Sequence, residues 1–175
     1  MQIEASRAEA EEARKEVAKQ EKISRLVEIR TALREWQEVL DRAVQRMWSG
    51  ASFDLETFDD AENSASRKAS RAIDAVMHDE WFIPQSKYDR PGPGGRHETS
   101  VNAQVTTALR AYRDLIRENL LSGSRVSPDR LRELMYRQDG ATKMRGTMST
   151  VIESRVRAIH RGEDEDPGRI IPRDW

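Results

Sequence analysis

Cysteine is absent from the 175 residues. Its absence excludes disulfides, thiol nucleophiles and Cys-rich zinc sites, and it suits a reducing cytosol, so a cytoplasmic protein is expected. Long apolar runs are missing as well. Nowhere do about 18 consecutive apolar residues occur, and Met1 leads straight into charged residues, so neither a membrane span nor a signal peptide is expected. No stretch combines strand-like alternation with β-branched enrichment between turn signals, which argues against sheets. An excess of one charge is lacking too: 30 basic and 31 acidic side chains leave a net charge of −1. No global field therefore draws the chain onto nucleic acid or anionic lipid. Lysine is confined to Lys15, Lys19, Lys22, Lys68, Lys87 and Lys143. Arginine supplies the other bases, and its planar fork suits ion pairs and phosphate contacts equally.

What the chain has is helical periodicity. Leu26, Ile29, Leu33, Trp36, Leu40, Ala43 and Met47 recur at alternating steps of three and four, which places them on one face of an α-helix. Before this seam, residues 1–22 are almost wholly Ala, Glu, Lys, Arg and Gln, strong helix formers, with Glu11 and Lys15 spaced for an i,i+4 ion pair. Continuing the seam backwards in phase lands on Lys22, Lys19, Lys15 and Glu12. This segment has no apolar stripe to bury and is expected to project as a charged arm. In its polar Ala/Glu/Arg run passing into a Leu/Trp seam, the stretch from Met1 to Trp48 resembles the membrane-proximal helix of small bacterial single-pass proteins. The resemblance implies a long helix and no particular activity.

Ser49-Gly50 is a stop, and Ser52 or Asp54 can cap a second helix carrying Leu55, Phe58, Ala61, Ala65, Ala69, Ala72, Val76 and Met77 on one face. Its small residues suit close antiparallel packing against the bulky seam of helix one. From Pro84 to His97 three prolines and three glycines exclude a continuous helix and predict a long loop. A third helix follows from Thr99 or Ser100 to Gly123, with Val101, Val105, Ala108, Leu109, Tyr112, Leu115, Ile116 and Leu120 inward. Ser127-Pro128-Asp129 opens a short helix through Leu131, Leu134 and Met135 that is expected to stop at Asp139-Gly140. The last helix, 141–161, offers Met144, Met148, Val151, Ile152, Val156 and Ile159 and ends at Gly162. The prediction is an all-α antiparallel bundle of four main helices plus one short helix. The charged arm (1–25) is continuous with helix one, the bundle occupies 26–162, and a polar tail occupies 163–175.

Constellations for chemistry are weak. His78, His97 and His160 are the only histidines, without HExxH or paired Glu-x-x-His spacing, so no metal or other cofactor is expected. The end of helix two suits His78, whose imidazolium complements the helix dipole. Gly92-Pro93-Gly94-Gly95 lacks the lysine and the preceding strand of a P-loop. What remains is an anion- or partner-binding loop in which Arg90, Arg96 and His97 precede helix three. Serine nucleophile elbows are absent. The pair of helices around Gly140, with Arg145, Arg155 and Arg157, has the order of a helix-turn-helix, although Gly146 stands where an apolar anchor belongs. The leading expectation is thus a non-enzymatic helical interaction or scaffolding module that takes a protein partner or a second copy through helix one, without a small-molecule ligand. A nucleic-acid-binding regulator using the Arg-bearing C-terminal helices ranks second, and an enzyme with a site assembled from scattered Asp, Glu and Arg ranks third.

Overall fold

A computed structural model of the chain describes residues 2–51, 54–77, 101–123 and 126–162. The loop at 84–97 with Arg90, Arg96 and His97 lies outside the described residues, as do His78, the candidate caps Ser52, Thr99 and Ser100, and the tail at 163–175. Four helices are present: α1 (Gln2–Ser49), α2 (Leu55–Met77), α3 (Val101–Ser122) and α4 (Pro128–Arg161). No strand occurs among the described residues. None of these helices is long and apolar enough to cross a membrane.

Local chemistry sets the helix ends. Asp54 caps α2 by accepting from the Thr57 backbone N–H at 2.8 Å, and this bond holds its carboxyl below the usual carboxylate range. Ser127 caps α4, accepting from the Arg130 N–H at 3.3 Å, with Pro128 in the first turn. At the far end, Gly162 turns left-handed with φ 72° and donates back to the Ala158 and Ile159 carbonyls.

The helices run up, down, up and down. Trp36 meets Glu62 and Glu35 meets Lys68 across α1 and α2, while Gln37 meets Thr142 and Arg30 meets Glu153 across α1 and α4. Along both pairs one chain number rises as the other falls, as antiparallel neighbours require. The helix α1 also packs on α3, so every other helix touches it, whereas α2 and α4 do not meet. This explains why its buried arc is wider than a single stripe. The seam residues Leu26, Ile29, Leu33, Trp36, Leu40 and Ala43 are buried and Met47 is partly so, but Ala32 and Val44, off that line, are buried as well. On α2, Phe58, Ala69, Ala72 and Val76 are inward, joined by Ile73, while Ala61 is exposed.

The short helix expected to end at Gly140 is not separate, because α4 runs through that position without a break. Glycine inside a helix costs about 1 kcal/mol relative to alanine. Full burial of the adjacent Ala141 and the 2.8 Å Asp139–Lys143 pair across the position favour continuing the helix. Met135, expected inward, is 48% exposed, because the inward line of α4 runs through Leu134 and Ala141 and Met135 lies about 100° around the helix from Leu134.

Trp36 is 1% exposed, faces the alanine-rich α2, and its indole N–H donates to Glu62 Oε1 at 3.0 Å. Trp36→Ala is therefore expected to cost about 3–5 kcal/mol in urea unfolding, because a cavity forms and a buried acceptor loses its donor. A loss below about 1 kcal/mol would mean that the ring is not held in the core.

Candidate functional site

The seams between helices carry a second layer of polar side chains beside the apolar ones. Where α1 meets α4, Gln37 is 4% exposed and fully engaged: its amide N–H donates to Thr142 Oγ1 at 2.7 Å and its carbonyl accepts from Arg145 Nε at 2.8 Å. One turn further on, Asp41 Oδ1 accepts from the Tyr112 hydroxyl at 3.2 Å and from Gln138 Nε2 at 3.0 Å, joining α1 to α3 and α4. Burial raises the Asp41 carboxyl above the usual aspartate value, and the donors from Gln138 and Tyr112 only partly oppose this. Burial first, and then the neighbouring Asp41, push the Tyr112 hydroxyl far up, so it stays protonated and acts as a donor.

A second cluster joins α1, α2 and α3. Glu62 is 3% exposed, with the Trp36 indole at 3.0 Å and the Arg113 guanidinium at 3.9 Å. Arg113 also binds Asp114 at 2.6 Å, and beside the pair Arg117 grips Asp59 at 2.8 Å. Desolvation raises the Glu62 carboxyl above its usual value, ahead of the opposing attraction of Arg113 and the Trp36 hydrogen bond, and the like charge of Asp59 adds to the rise.

The arginines proposed for reading nucleic acid do not form one basic face. Arg145 is bound to Gln37, Arg155 is buried at 5% exposure, and Arg157 Nε donates to the Glu153 carbonyl at 3.3 Å. The Glu153 carboxylate reaches Arg30 at 3.5 Å. Acids are interleaved along the same surface, with Asp139 bound to Lys143 and Asp129 to Arg132. His160 is exposed in the last turn of α4. Among the described residues no group of three or more His, Cys, Asp or Glu side chains is placed to hold a metal ion.

Concavities of ligand size are found among the described residues. One, of about 610 Å³, opens at the end of the bundle between the last turn of α1 and the first turn of α4, lined by Met47, Trp48, Val126, Pro128 and Leu131 with Ser49, Gly50 and Ser127. Trp48 is 58% exposed there, and no titratable side chain lines the space. A second, also about 610 Å³, is a shallow groove between α1 and α2 where Glu28 and Asp60 alternate with Arg67, Lys68 and Arg71. The second also holds Asn63 and Ser64, and in neither is a serine hydroxyl hydrogen-bonded to a carboxylate or imidazole, the pairing by which a nucleophile is activated.

Sequence reasoning passed over Glu62, although the signal was present. Phe58, Glu62, Ala65, Ala69, Ala72 and Val76 keep the alternation of four and three without a gap, and a charged residue in phase with an apolar stripe is a buried-charge candidate. Asp41 had no such mark, because its partners come from two other helices.

Comparison with family models, with curated proteins and with solved structures finds no match.

Asp41→Asn keeps an acceptor for Tyr112 and Gln138 and removes the half-buried charge, so stability at neutral pH is expected to stay level or rise. Asp41→Leu leaves both donors unsatisfied and is expected to cost about 1–3 kcal/mol. In the wild type, the folded carboxyl titrates above the unfolded one. The native state then binds the extra proton, and stability falls as pH rises through the window between the ordinary aspartate value and the raised one. Urea titrations across pH should show this slope reduced in Asp41→Asn; equal losses in both variants would show that the charge itself holds the helices.

Proposed function

We propose that this protein is a non-enzymatic helical interaction module, working in the cytoplasm, whose bundle holds out the N-terminal third of α1 for a protein partner or a second copy in coiled-coil fashion. One observation carries the reading. With 48 residues α1 is about 72 Å long, against about 51 Å for the 34-residue α4. Residues 6–18 are exposed without exception, whereas the seam from Leu26 to Ala43 is buried in the core. The arm is kept helical by its own sequence: Glu11 and Lys15 pair at 2.9 Å, and Gln20 donates to Glu16 at 2.9 Å.

Such local pairs are worth only tenths of a kcal/mol each, and they do not attach the arm to the bundle. A helix this polar contributes little buried area to its own fold, so its use is sought in what it offers outward. Val17, 60% exposed in the middle of the arm, is the kind of apolar anchor around which a partner helix packs. The outward surface of α4 carries acids and bases in alternation, which favours a protein over a polyanion as partner.

Deleting residues 1–18 tests the proposal. The truncated bundle is expected to melt within a few degrees of the full chain, while the mass by light scattering, alone or with a co-purified partner, is expected to fall. Unfolding of the truncated chain would mean that the arm is part of the core. Unchanged stability with unchanged mass and unchanged partner capture would make the arm a solvated extension.

A further inference from the structure

Glu62 is the most deeply buried carboxylate among the described residues, and its ionised form is poorly compensated. Its closest partner, the Trp36 indole from α1, is a neutral donor. Its cation, Arg113 from α3, stands at 3.9 Å and is shared with Asp114 at 2.6 Å. From its own helix it faces Asp59, a like charge, and the Ser66 hydroxyl, which donates to it, while a second cation from α3, Arg117, attracts it but is bound to Asp59. The helix α4 supplies nothing, since α2 and α4 do not touch. A buried carboxylate whose hydrogen-bond donors, Trp36 and Ser66, are neutral and whose cations are each held more closely by another carboxylate disfavours the closed arrangement in its charged form.

The position of this carboxylate gives that penalty a direction. Among the described residues, the side of the bundle between α2 and α3 is the thinnest, and the ion pairs across it there are Glu62–Arg113 and Asp59–Arg117. The other sides, α1 with α2, α3 with α4 and α1 with α4, are packed more extensively. Any relief of the Glu62 penalty by hydration is taken where fewest contacts are lost, by parting α2 from α3.

We propose that Glu62 is a proton-operated latch on the α2–α3 edge: ionised, it loosens the edge, and protonated, it lets the edge close. The neutral carboxyl still accepts from the Trp36 indole and sheds both its desolvation penalty and its repulsion from Asp59. Burial raises the Glu62 carboxyl, which is the same linkage seen from the proton: closing the edge favours uptake, and uptake favours closing. Each pH unit of that rise changes the ratio of closed to loosened edge about tenfold between the fully protonated and fully ionised forms. The Asp59–Arg117 pair, half-exposed on its arginine side, bridges the same edge and limits how far it parts.

The absence of cysteine makes the test direct. Spin labels on Asn63→Cys and Arg110→Cys, both exposed positions, span α2 and α3 in the full chain. Labels on Arg34→Cys and Thr150→Cys span α1 and α4 as the control. The α2–α3 distance distribution is expected to be broad at high pH and to narrow severalfold in its broad component as the pH is lowered to the ordinary glutamate value, at a midpoint above that value, while the control pair stays constant. In a Glu62→Gln background the α2–α3 distribution is expected to be narrow at both ends of that range. An unchanging wild-type distribution would overturn the proposal. So would a Glu62→Gln chain that follows the wild type, or a control pair that broadens together with the first. The wild-type titration stands alone if Glu62→Gln does not fold.

Discussion

Every helix of this bundle is positioned by the burial of the middle of α1. A strip from Leu26 to Val44 meets α2 on one flank, α4 on the other and α3 between them, and its largest member, Trp36, is buried against the small residues of α2. Leucines, an isoleucine and an indole in one unbroken helical phase form the apolar surface on which the other three helices pack. Removing any of the others leaves the remaining three joined through α1, whereas removing α1 leaves α2 with only its thin contact to α3.

The polar groups within the seams select one arrangement from those that an apolar strip would tolerate. Gln37, between Thr142 and Arg145, satisfies both ends of its amide only at one offset of α1 along α4. Asp41 fixes the same offset again through Gln138 and brings Tyr112 of α3 to the same height. Buried side chains of this kind add little net stability, but a slipped register would leave their donors and acceptors unpaired at about 1–3 kcal/mol each. Specificity of register is thus assigned to Gln37 and Asp41, and cohesion to Leu33, Trp36 and Leu40.

Much of this was legible in the sequence where a single helix carries its own signal. The seam, the glycine stops at 50, 123 and 162, the Ser127-Pro128 start and the exposed arm follow from periodicity and capping chemistry, and the structure has them all. The failures are those of tertiary context. Gly140 read as a stop because a glycine usually marks one, but packing of Ala141 and the Asp139–Lys143 pair outweigh its intrinsic cost. Ala32 and Val44 were missed because a one-stripe reading assumes one neighbouring surface, and α1 has three. Arg145 and Arg155 read as a basic surface because sequence spacing does not show which way a helix is turned, and both point into the bundle. Of the loop residues Arg90, Arg96 and His97, sequence alone speaks.

A core seam and a free arm share the one uninterrupted helix α1, and native-state hydrogen exchange of the full chain tests that division residue by residue. Amides from Ile29 to Val44 are expected to exchange only through global unfolding. Those from residues 6 to 18 are expected to exchange orders of magnitude faster by local fraying, with the change in protection falling between residues 18 and 26. Protection of residues 6–18 comparable to that of the seam, in dilute monomeric protein, would contradict it and place the arm within the fold.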